Sequence, residues 1–309
     1  MSFFSIIIPL YNKENFIENT IQSVLSQTFE DFEIIIVNDG STDKSEEKVL
    51  QFKDDRIRYL SKKNEGVSTA RNYGIEKSSA DFITFLDADD YWYPTFLETM
   101  FTNISKLSDQ KVFSAAVEFD TSKKVIPAQY SIFKTNEYLE IVNYFKASKK
   151  ESVLWASCAV FHKSVFEKTG SFDTKIKSGE DTDLWIRIGL IYPIVFSWKI
   201  LARYVYDSKS LSKNNKLIID NLDLSKFEEF EKTNPDLKYF LDLNRFSLAI
   251  KSKLVGEKSL FYKYYNPINL KKIGWKKRTL LLFPAFALRF LISFKTFLAN
   301  LGIGSSVFK

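Results

Sequence analysis

The sequence predicts an α/β protein: a Rossmann-like, mixed but mainly parallel sheet flanked by helices, followed by a helical C-terminal extension. Three observations predict it. Over the first 90 residues, short buried-strand runs alternate with helical stretches through brief connections, the rhythm that builds a parallel, helix-covered sheet. From Pro94 to about Trp198 the alternation is less regular, which implies strands of mixed direction. Beyond about Ser208 the pattern becomes helical, and no internal repeat is visible.

The elements follow in order. Phe4 to Pro9 is a buried-strand run, the first strand. Glu14 to Gln27 places Ile17, Ile21, Val24 and Leu25 on one helical face. Phe32 to Val37 is the second strand, and the turn Asn38-Asp39-Gly40-Ser41-Thr42-Asp43 offers capping oxygens to a helix running towards Phe52. Ile57 to Leu60 is a third strand, Glu65 to Lys77 a helix, and Phe82 to Leu86 a fourth strand. Further on, strands are expected around Val112–Phe119 and Ser152–Phe161, a helix from Asp181, and helices over Asn221–Lys232 and Leu237–Val255.

Composition bounds the function. A chain of 309 residues that is 45% hydrophobic, with few Gly and Pro, builds a substantial core. One cysteine, Cys158, excludes an intramolecular disulfide and fits a reducing cytoplasm. One histidine, His162, argues against a His-based metal centre or a Ser-His catalytic unit. The N-terminus enters a strand pattern without the charged region of a signal peptide, so the body is expected in the cytoplasm. From Lys251 onward the chain carries ten Lys and two Arg against Glu257, a net +11, so the first 250 residues carry −5 of the overall +6. A mildly acidic body with a basic tail points to an anionic partner for the tail.

The chemistry centres on Phe85-Leu86-Asp87-Ala88-Asp89-Asp90, three carboxylates directly behind a buried strand. Carboxylates grouped at a strand's C-terminal end repel one another unless a cation lies between them, and that edge of an open α/β sheet is where ligands bind. A hard divalent ion, Mn²⁺ or Mg²⁺, held by one or two carboxylates and completed by ligand phosphates, suits the pattern. An acidic turn capping the next helix is the alternative. Neither a Gly-x-Gly-x-x-Gly fingerprint nor a P-loop follows the first strand, which excludes an ordinary dinucleotide-binding domain.

Five segments in order carry a resemblance: Ile8-Pro9-Leu10-Tyr11-Asn12, Val37 to Asp43, Asn64-Glu65-Gly66 with Ala70-Arg71-Asn72, Leu86 to Asp90, and Gly179-Glu180-Asp181-Thr182-Asp183-Leu184-Trp185. Together they resemble the family 2 inverting glycosyltransferases of GT-A fold, of the bacterial surface-polysaccharide type, over about Ser5 to Ser212. The resemblance implies a nucleoside-diphosphate sugar, most simply a UDP-sugar, as donor. Asp39 is then expected to accept a hydrogen bond from the nucleotide base, where it otherwise shapes an Asx-turn. Arg71 is expected near the base and phosphates, and Pro9, Tyr11 and Asn12 shape the first loop against the nucleoside. Asp89 is the expected direct metal ligand and Asp87 lies nearer the ribose or the ion's waters. Asp181 is the implied general base, taking a proton from the acceptor hydroxyl; capping of its helix is the alternative role. The sequence departs from the family where many relatives carry a Tyr-Arg-x-His-x-x-Ser-x-Ser stretch. Tyr204 to Ser212 holds Val205 and Asp207 at the Arg and His positions, leaving Arg203 or Lys209 to supply the charge.

In the tail, Lys271, Lys272, Lys276, Lys277 and Arg278 precede an apolar stretch from Leu280 in which Arg289, Ser293, Thr296 and Asn300 form a narrow polar stripe. The ten uncharged residues between Arg278 and Arg289 fall short of the ~20 needed to span a bilayer. A helix lying in the plane of an anionic membrane surface, within 271–301, fits better than nucleic-acid binding. Packing on the catalytic domain, dimerisation and a tilted transmembrane anchor remain as alternatives. The expected organisation is a catalytic domain over 1–212, with a nucleotide-sugar half over 1–93 and an acceptor half over 94–212, then a helical region over 213–309. The expected reaction is metal-dependent transfer to a saccharide hydroxyl, lipid-linked if the tail meets the inner face of the cell membrane. A catalytically silent nucleotide-binding membrane scaffold is the non-enzymatic alternative. A sugar-phosphate nucleotidyltransferase is disfavoured, because its Gly-rich, Arg- and Lys-bearing first loop is missing.

Overall fold

The computed structural model describes residues 2–121, 124–135, 137–206 and 222–300, with the backbone alone for 295–300. The chain divides into two compact units, Met1–Lys209 and Ser210–Lys309.

In the first unit, β1 (Phe4–Leu10), β2 (Phe32–Asn38), β3 (Ile57–Ser61) and β4 (Phe82–Phe85) run parallel in the order β3-β2-β1-β4. Every residue of β1 and β2 is buried, as parallel strands covered on both faces must be. The crossovers are α1 (Ile17–Leu25), α2 (Ser45–Leu50) and α3 (Val67–Lys77). α1 starts three residues later than its apolar spacing suggests, because Lys13 to Phe16 form a turn closed by the Phe16 N–H on the Lys13 carbonyl at 2.9 Å.

The second half holds β5 (Tyr91–Trp92), α4 (Phe96–Lys106), β6 (Val112–Asp120), β7 (Val125–Pro127), β8 (Leu139–Val142), α5 (Tyr144–Ala147), β9 (Ala159–His162), α6 (Ser164–Thr169), α7 (Glu180–Gly189) and β10 (Ile194–Val205). The sheet continues β4-β9-β6-β10-β5, with β9 antiparallel to both β4 and β6 and β10 parallel to β6. The mixed direction expected of this half is therefore present. Two expectations are corrected. The strand expected over 152–161 is confined to β9, and a 3₁₀ turn, Ala156–Cys158, precedes it. The twelve-residue β10 was not anticipated at all.

The second unit contains α8 (Glu228–Thr233), α9 (Pro235–Val255), α10 (Lys258–Tyr265), α11 (Trp275–Leu282) and α12 (Ala285–Asn300). α9 begins with Asn234 accepting the Leu237 N–H at 3.0 Å, has Pro235 in its first turn, and ends at the left-handed Gly256. The single apolar helix expected after Leu280 is two helices, because Pro284 follows Phe283 and interrupts the backbone ladder.

The loops that carry Asn12, Asp39, Asn64 and Asp87 to Asp90 leave the carboxyl ends of β1 to β4. Their positions depend on how closely α3 approaches β1. Gly74 allows that approach: a Cβ there would lie 2.3 Å from Ile7 Cγ2. Gly74→Ala should therefore overpack this seam and cost about 1–3 kcal/mol, read as a lower urea midpoint with an unchanged slope. An unaltered midpoint would show that α3 can slide on the sheet without penalty.

Candidate active site

The first two loops are fastened to each other by short side-chain contacts. Asn12 takes a left-handed backbone conformation (φ 51°), which Asn tolerates better than most residues. Its Oδ1 accepts the Thr42 N–H at 2.8 Å, and its own N–H donates to Ser41 Oγ at 3.1 Å. The Lys13 N–H donates to Ser45 Oγ at 2.8 Å and the Glu14 N–H to Asp43 Oδ2 at 3.0 Å. Tyr11 is exposed at the tip, whereas Pro9 is buried inside β1 opposite Val37 rather than in the loop.

Asp39, at the end of β2, is buried and organises the third loop. Its Oδ1 accepts from Lys62 Nζ at 2.7 Å and the Glu65 N–H at 3.0 Å, and its Oδ2 accepts the Gly66 N–H at 2.8 Å. Gly40 must follow it: φ is +74°, and a Cβ would stand 2.9 Å from the Asn64 nitrogen.

The three carboxylates behind β4 have three different environments. Asp87 Oδ1 accepts from Arg71 Nη2 at 2.6 Å. Asp89 Oδ2 accepts from Lys13 Nζ at 2.6 Å, and burial together with neighbouring Asp87 raises its pKa against the pull of Lys13. Asp90 points inward, its oxygens accepting from Ser157 Oγ at 2.5 Å and the Val205 N–H at 3.1 Å. Burial first, then Asp89 and Asp87, hold its pKa well above the ordinary carboxylate value. Asp90 is thus a strut between this loop, the 3₁₀ turn and the end of β10, leaving Asp87 and Asp89 for a ligand.

Among the described residues no group of three or more His, Cys, Asp or Glu side chains is arranged to hold an ion unaided. Asp87 and Asp89 still fit a hard divalent ion by the chemistry of their donor set: two hard carboxylates stand two residues apart behind β4, and each draws a cation, Arg71 or Lys13, against it. Such an ion needs phosphate and water oxygens to complete its shell.

Arg71 links this loop to α7. Its side chain is only 5% exposed; Nη2 meets Asp87, and Nη1 meets Glu180 Oε1 at 3.0 Å. The guanidinium also lies 5.1 Å from the centre of the Phe172 ring. Glu180 and Asp181 open α7 behind Gly179, whose φ of 85° lets the chain turn sharply into the helix. Asp181, half-buried, accepts the Thr182 N–H on Oδ1 at 2.5 Å. Burial and adjacent Asp181 push Glu180 up to about 7 despite Arg71. Asp183 is fully buried and paired with Arg187 at 2.8 Å, and Arg187 reaches on to the carbonyls of Thr169, Gly170 and Ser171.

Sequence reasoning picked out the carboxylates and Arg71 but not Lys13, Lys62 or the Arg71–Glu180 pair. Lys13 carries no local signal, since its partner lies 76 residues away. Arg203, one of two candidates for the missing positive charge, is committed elsewhere: it donates to Glu118 at 2.8 Å and to the Tyr93 hydroxyl at 2.6 Å. The other, Lys209, lies outside the described residues.

Residues 5–170 match the model of the family described as Glycosyl transferase family 2. The chain belongs to that family. An uncharacterized glycosyltransferase of Rickettsia typhi is 30% identical over 74% of this chain and 69% of its own length. One from Rickettsia felis is 32% identical over 68% of this chain, a match that spans 35% of that protein. Among solved structures, S. aureus TarS 1-349 in complex with UDP-GlcNAc superposes with a TM-score of 0.61 over 91% of this chain and 78% of that one, at 17% identity. TarS 1-349 in complex with UDP gives 0.58 over 86% and 88% at 19% identity, so the fold is shared. For this family 2 glycosyltransferase, the GT-A-type mixed α/β sheet with C-terminal helices agrees with the sequence expectation.

Glu180 gives a pH signature. Between its ordinary 4.5 and about 7, the folded protein keeps the proton that the unfolded chain has released. Folding stability should therefore fall as pH rises through that window and level off above it. Urea titrations at pH 4.5, 6 and 7.5 on the wild type and Glu180→Gln check this. A slope that survives in the variant assigns the effect to another group.

Proposed function

We propose that the protein is an inverting, divalent-ion-assisted glycosyltransferase that moves a hexose or N-acetylhexosamine from UDP to a hydroxyl of a saccharide acceptor. The observation that carries this reading is the double contact of Arg71 with Asp87 at 2.6 Å and Glu180 at 3.0 Å. It ties the carboxylate loop of a donor site to the helix that bears the candidate base. The fold shared with TarS, solved with UDP and with UDP-GlcNAc, supports UDP as the donor nucleotide.

Each residue then has a task. Asp39 spends three of about four acceptor positions on its own loop, which leaves one for an N–H of the base. Tyr11 and Asn12 border the nucleoside, and Pro9 supports them from within β1. Asp89, with Asp87 beside it, holds Mn²⁺ or Mg²⁺. That ion, when bound, supplies positive charge to the departing diphosphate. Arg71, buried behind Asp87, acts on the donor through that carboxylate. Asp181 takes the proton of the acceptor hydroxyl as it attacks the anomeric carbon from the face opposite UDP. A single in-line displacement inverts that carbon, so one base suffices.

Calorimetry of UDP with and without Mn²⁺ tests the donor half. Wild type should bind UDP more tightly with the ion, and Asp89→Asn should lose that enhancement. Asp181→Asn should bind UDP normally while transfer falls by ~10²–10⁴-fold. Unchanged turnover in that variant would remove Asp181 from the role of base.

The helical unit supports a membrane-facing acceptor. Phe286 and Phe290 on α12 are 75% and 68% exposed, with Leu282 and Trp275 exposed on α11. Lys271, Lys272, Lys276 and Arg278 stand exposed in the same stretch. The face has a fixed orientation, because Arg289 Nη2 donates to the Leu254 carbonyl at 2.7 Å and Lys253 Nζ to the Phe283 carbonyl at 3.1 Å. Among the described residues no helix is long and apolar enough to cross a membrane. We read this unit as a peripheral anchor on the anionic inner leaflet, each basic residue near the surface adding about 1 kcal/mol, with a lipid-linked saccharide as acceptor. Phe286→Asp with Phe290→Asp should abolish flotation with anionic vesicles and spare UDP binding. Flotation equal to wild type in the double variant would refute attachment through this face.

A further inference from the structure

Lys13 stands where a divalent ion is needed. Its Nζ lies 2.6 Å from Asp89 Oδ2, an oxygen of the carboxylate assigned as metal ligand under the proposed function. The pair is well shielded, with side chains 19% and 15% exposed. The contact is held from behind as well as in front. The Lys13 N–H is fixed on Ser45 Oγ at 2.8 Å, and the ammonium lies 5.5 Å from the centre of the Phe16 ring. The loop that carries Lys13 is itself fastened to the loop after β2 through Asn12 and Glu14. An ammonium delivered so directly to one carboxylate is built in, not a surface pairing made by chance.

We propose that Lys13 is the resident counter-cation of Asp89 in the donor-free protein, competing with the divalent ion and making its uptake depend on the donor. This rests on the assignment of Asp89 as metal ligand. An ammonium and a divalent ion held by one carboxylate repel each other at close range, so each weakens the other's hold on Asp89. Without nucleotide, the ion must bind against the charge of Lys13 or push that ammonium off Asp89. With a nucleoside diphosphate present, the displaced ammonium gains phosphate oxygens as acceptors, and the cost of displacement falls. Part of the mutual enhancement between UDP and metal therefore runs through Lys13. By reciprocity, the same factor appears whichever ligand is added first. Lys13 also keeps the Asp87–Asp90 loop neutralised while the site is empty, which limits repulsion among its carboxylates.

The test measures binding, not turnover. Mn²⁺ titrations followed by the electron paramagnetic resonance of the free ion would be run on full-length wild type, Lys13→Met and Lys13→Arg, each with and without UDP. Lys13→Met should bind Mn²⁺ without nucleotide about tenfold more tightly than wild type. The factor by which UDP tightens Mn²⁺ should shrink correspondingly in that variant. Lys13→Arg, which keeps the charge, should behave as wild type and shows that a change in Lys13→Met comes from charge rather than misfolding. If Lys13→Met binds Mn²⁺ no better than wild type, or more weakly, Lys13 is a strut of the loop and the proposal fails. UDP binding by the wild type in the presence of Mn²⁺ reads the proposed donor class separately. Its loss would strike the glycosyltransfer reading, whereas an unaltered Mn²⁺ affinity in Lys13→Met strikes this proposal alone.

Discussion

The arrangement of the site depends on one buried cation. Arg71 sits on α3 beneath the carboxylate loop, shielded from water and braced by Asp87 on one side and Glu180 on the other. Burying a guanidinium is costly unless it is paired, and two carboxylates meet that need here. The effect is felt by both partners. Asp87 is fixed at the mouth of the site, and the start of α7 is held against the loop after β4 although the two lie 93 residues apart in sequence (87 and 180). The close seam between α3 and β1 at Gly74 and Ile7 lies one turn along the same buried face of the helix as Arg71, so it bears on where Arg71 can reach.

The mixed sheet explains how residues of the second half arrive at the same edge. β9 runs antiparallel between β4 and β6, so the 3₁₀ turn before it comes back to the carboxyl end of β4. Ser157 in that turn donates to Asp90 and accepts the Asp87 N–H at 3.1 Å, fixing the carboxylate loop from below. β10, parallel to β6, brings the Val205 N–H to Asp90 from the other side. Neighbouring acidic residues are thereby given distinct tasks by what surrounds them, not by their own chemistry.

The parallel half was legible because its signals are local: short isoleucine-rich runs for β1 and β2, helical spacing for α1, and Asp behind a strand. The second half was less so. Ser152 to Cys158 has the apolar content of a strand, yet its carbonyls are taken by side chains, such as Trp92 on Ser157 at 2.6 Å and Ser114 on Val153 at 2.6 Å, instead of a ladder. β10 escaped notice because Ser197, Trp198 and Lys199 interrupt its apolar run, and the register shifts that absorb them, between Ser197 and Ile200 and again before Ala202, are a property of the pairing with β6. At the site, motif order pointed to Asp39, Arg71, Asp87, Asp89 and Asp181. It did not tell which carboxylate is a strut or which lysine meets which carboxylate, since those assignments are made by tertiary contacts.

Glu180 and Asp181 show the same division within two adjacent residues. Both are acidic, both open α7, and the helix dipole favours charge on each. Glu180 faces inward, is bound to Arg71, and is raised to about 7 by burial and by its neighbour. The charge on Glu180 is tied to the clamp on Arg71, so a proton taken or lost there alters the scaffold. Asp181 is half-buried, and one of its oxygens is occupied by the Thr182 N–H and hydroxyl at the start of the helix. Under the proposed function its other oxygen approaches the acceptor hydroxyl. The proposed base is therefore the acidic residue whose protonation disturbs the scaffold least, and the pairing of Glu180 with Arg71 is what allows Asp181 that freedom.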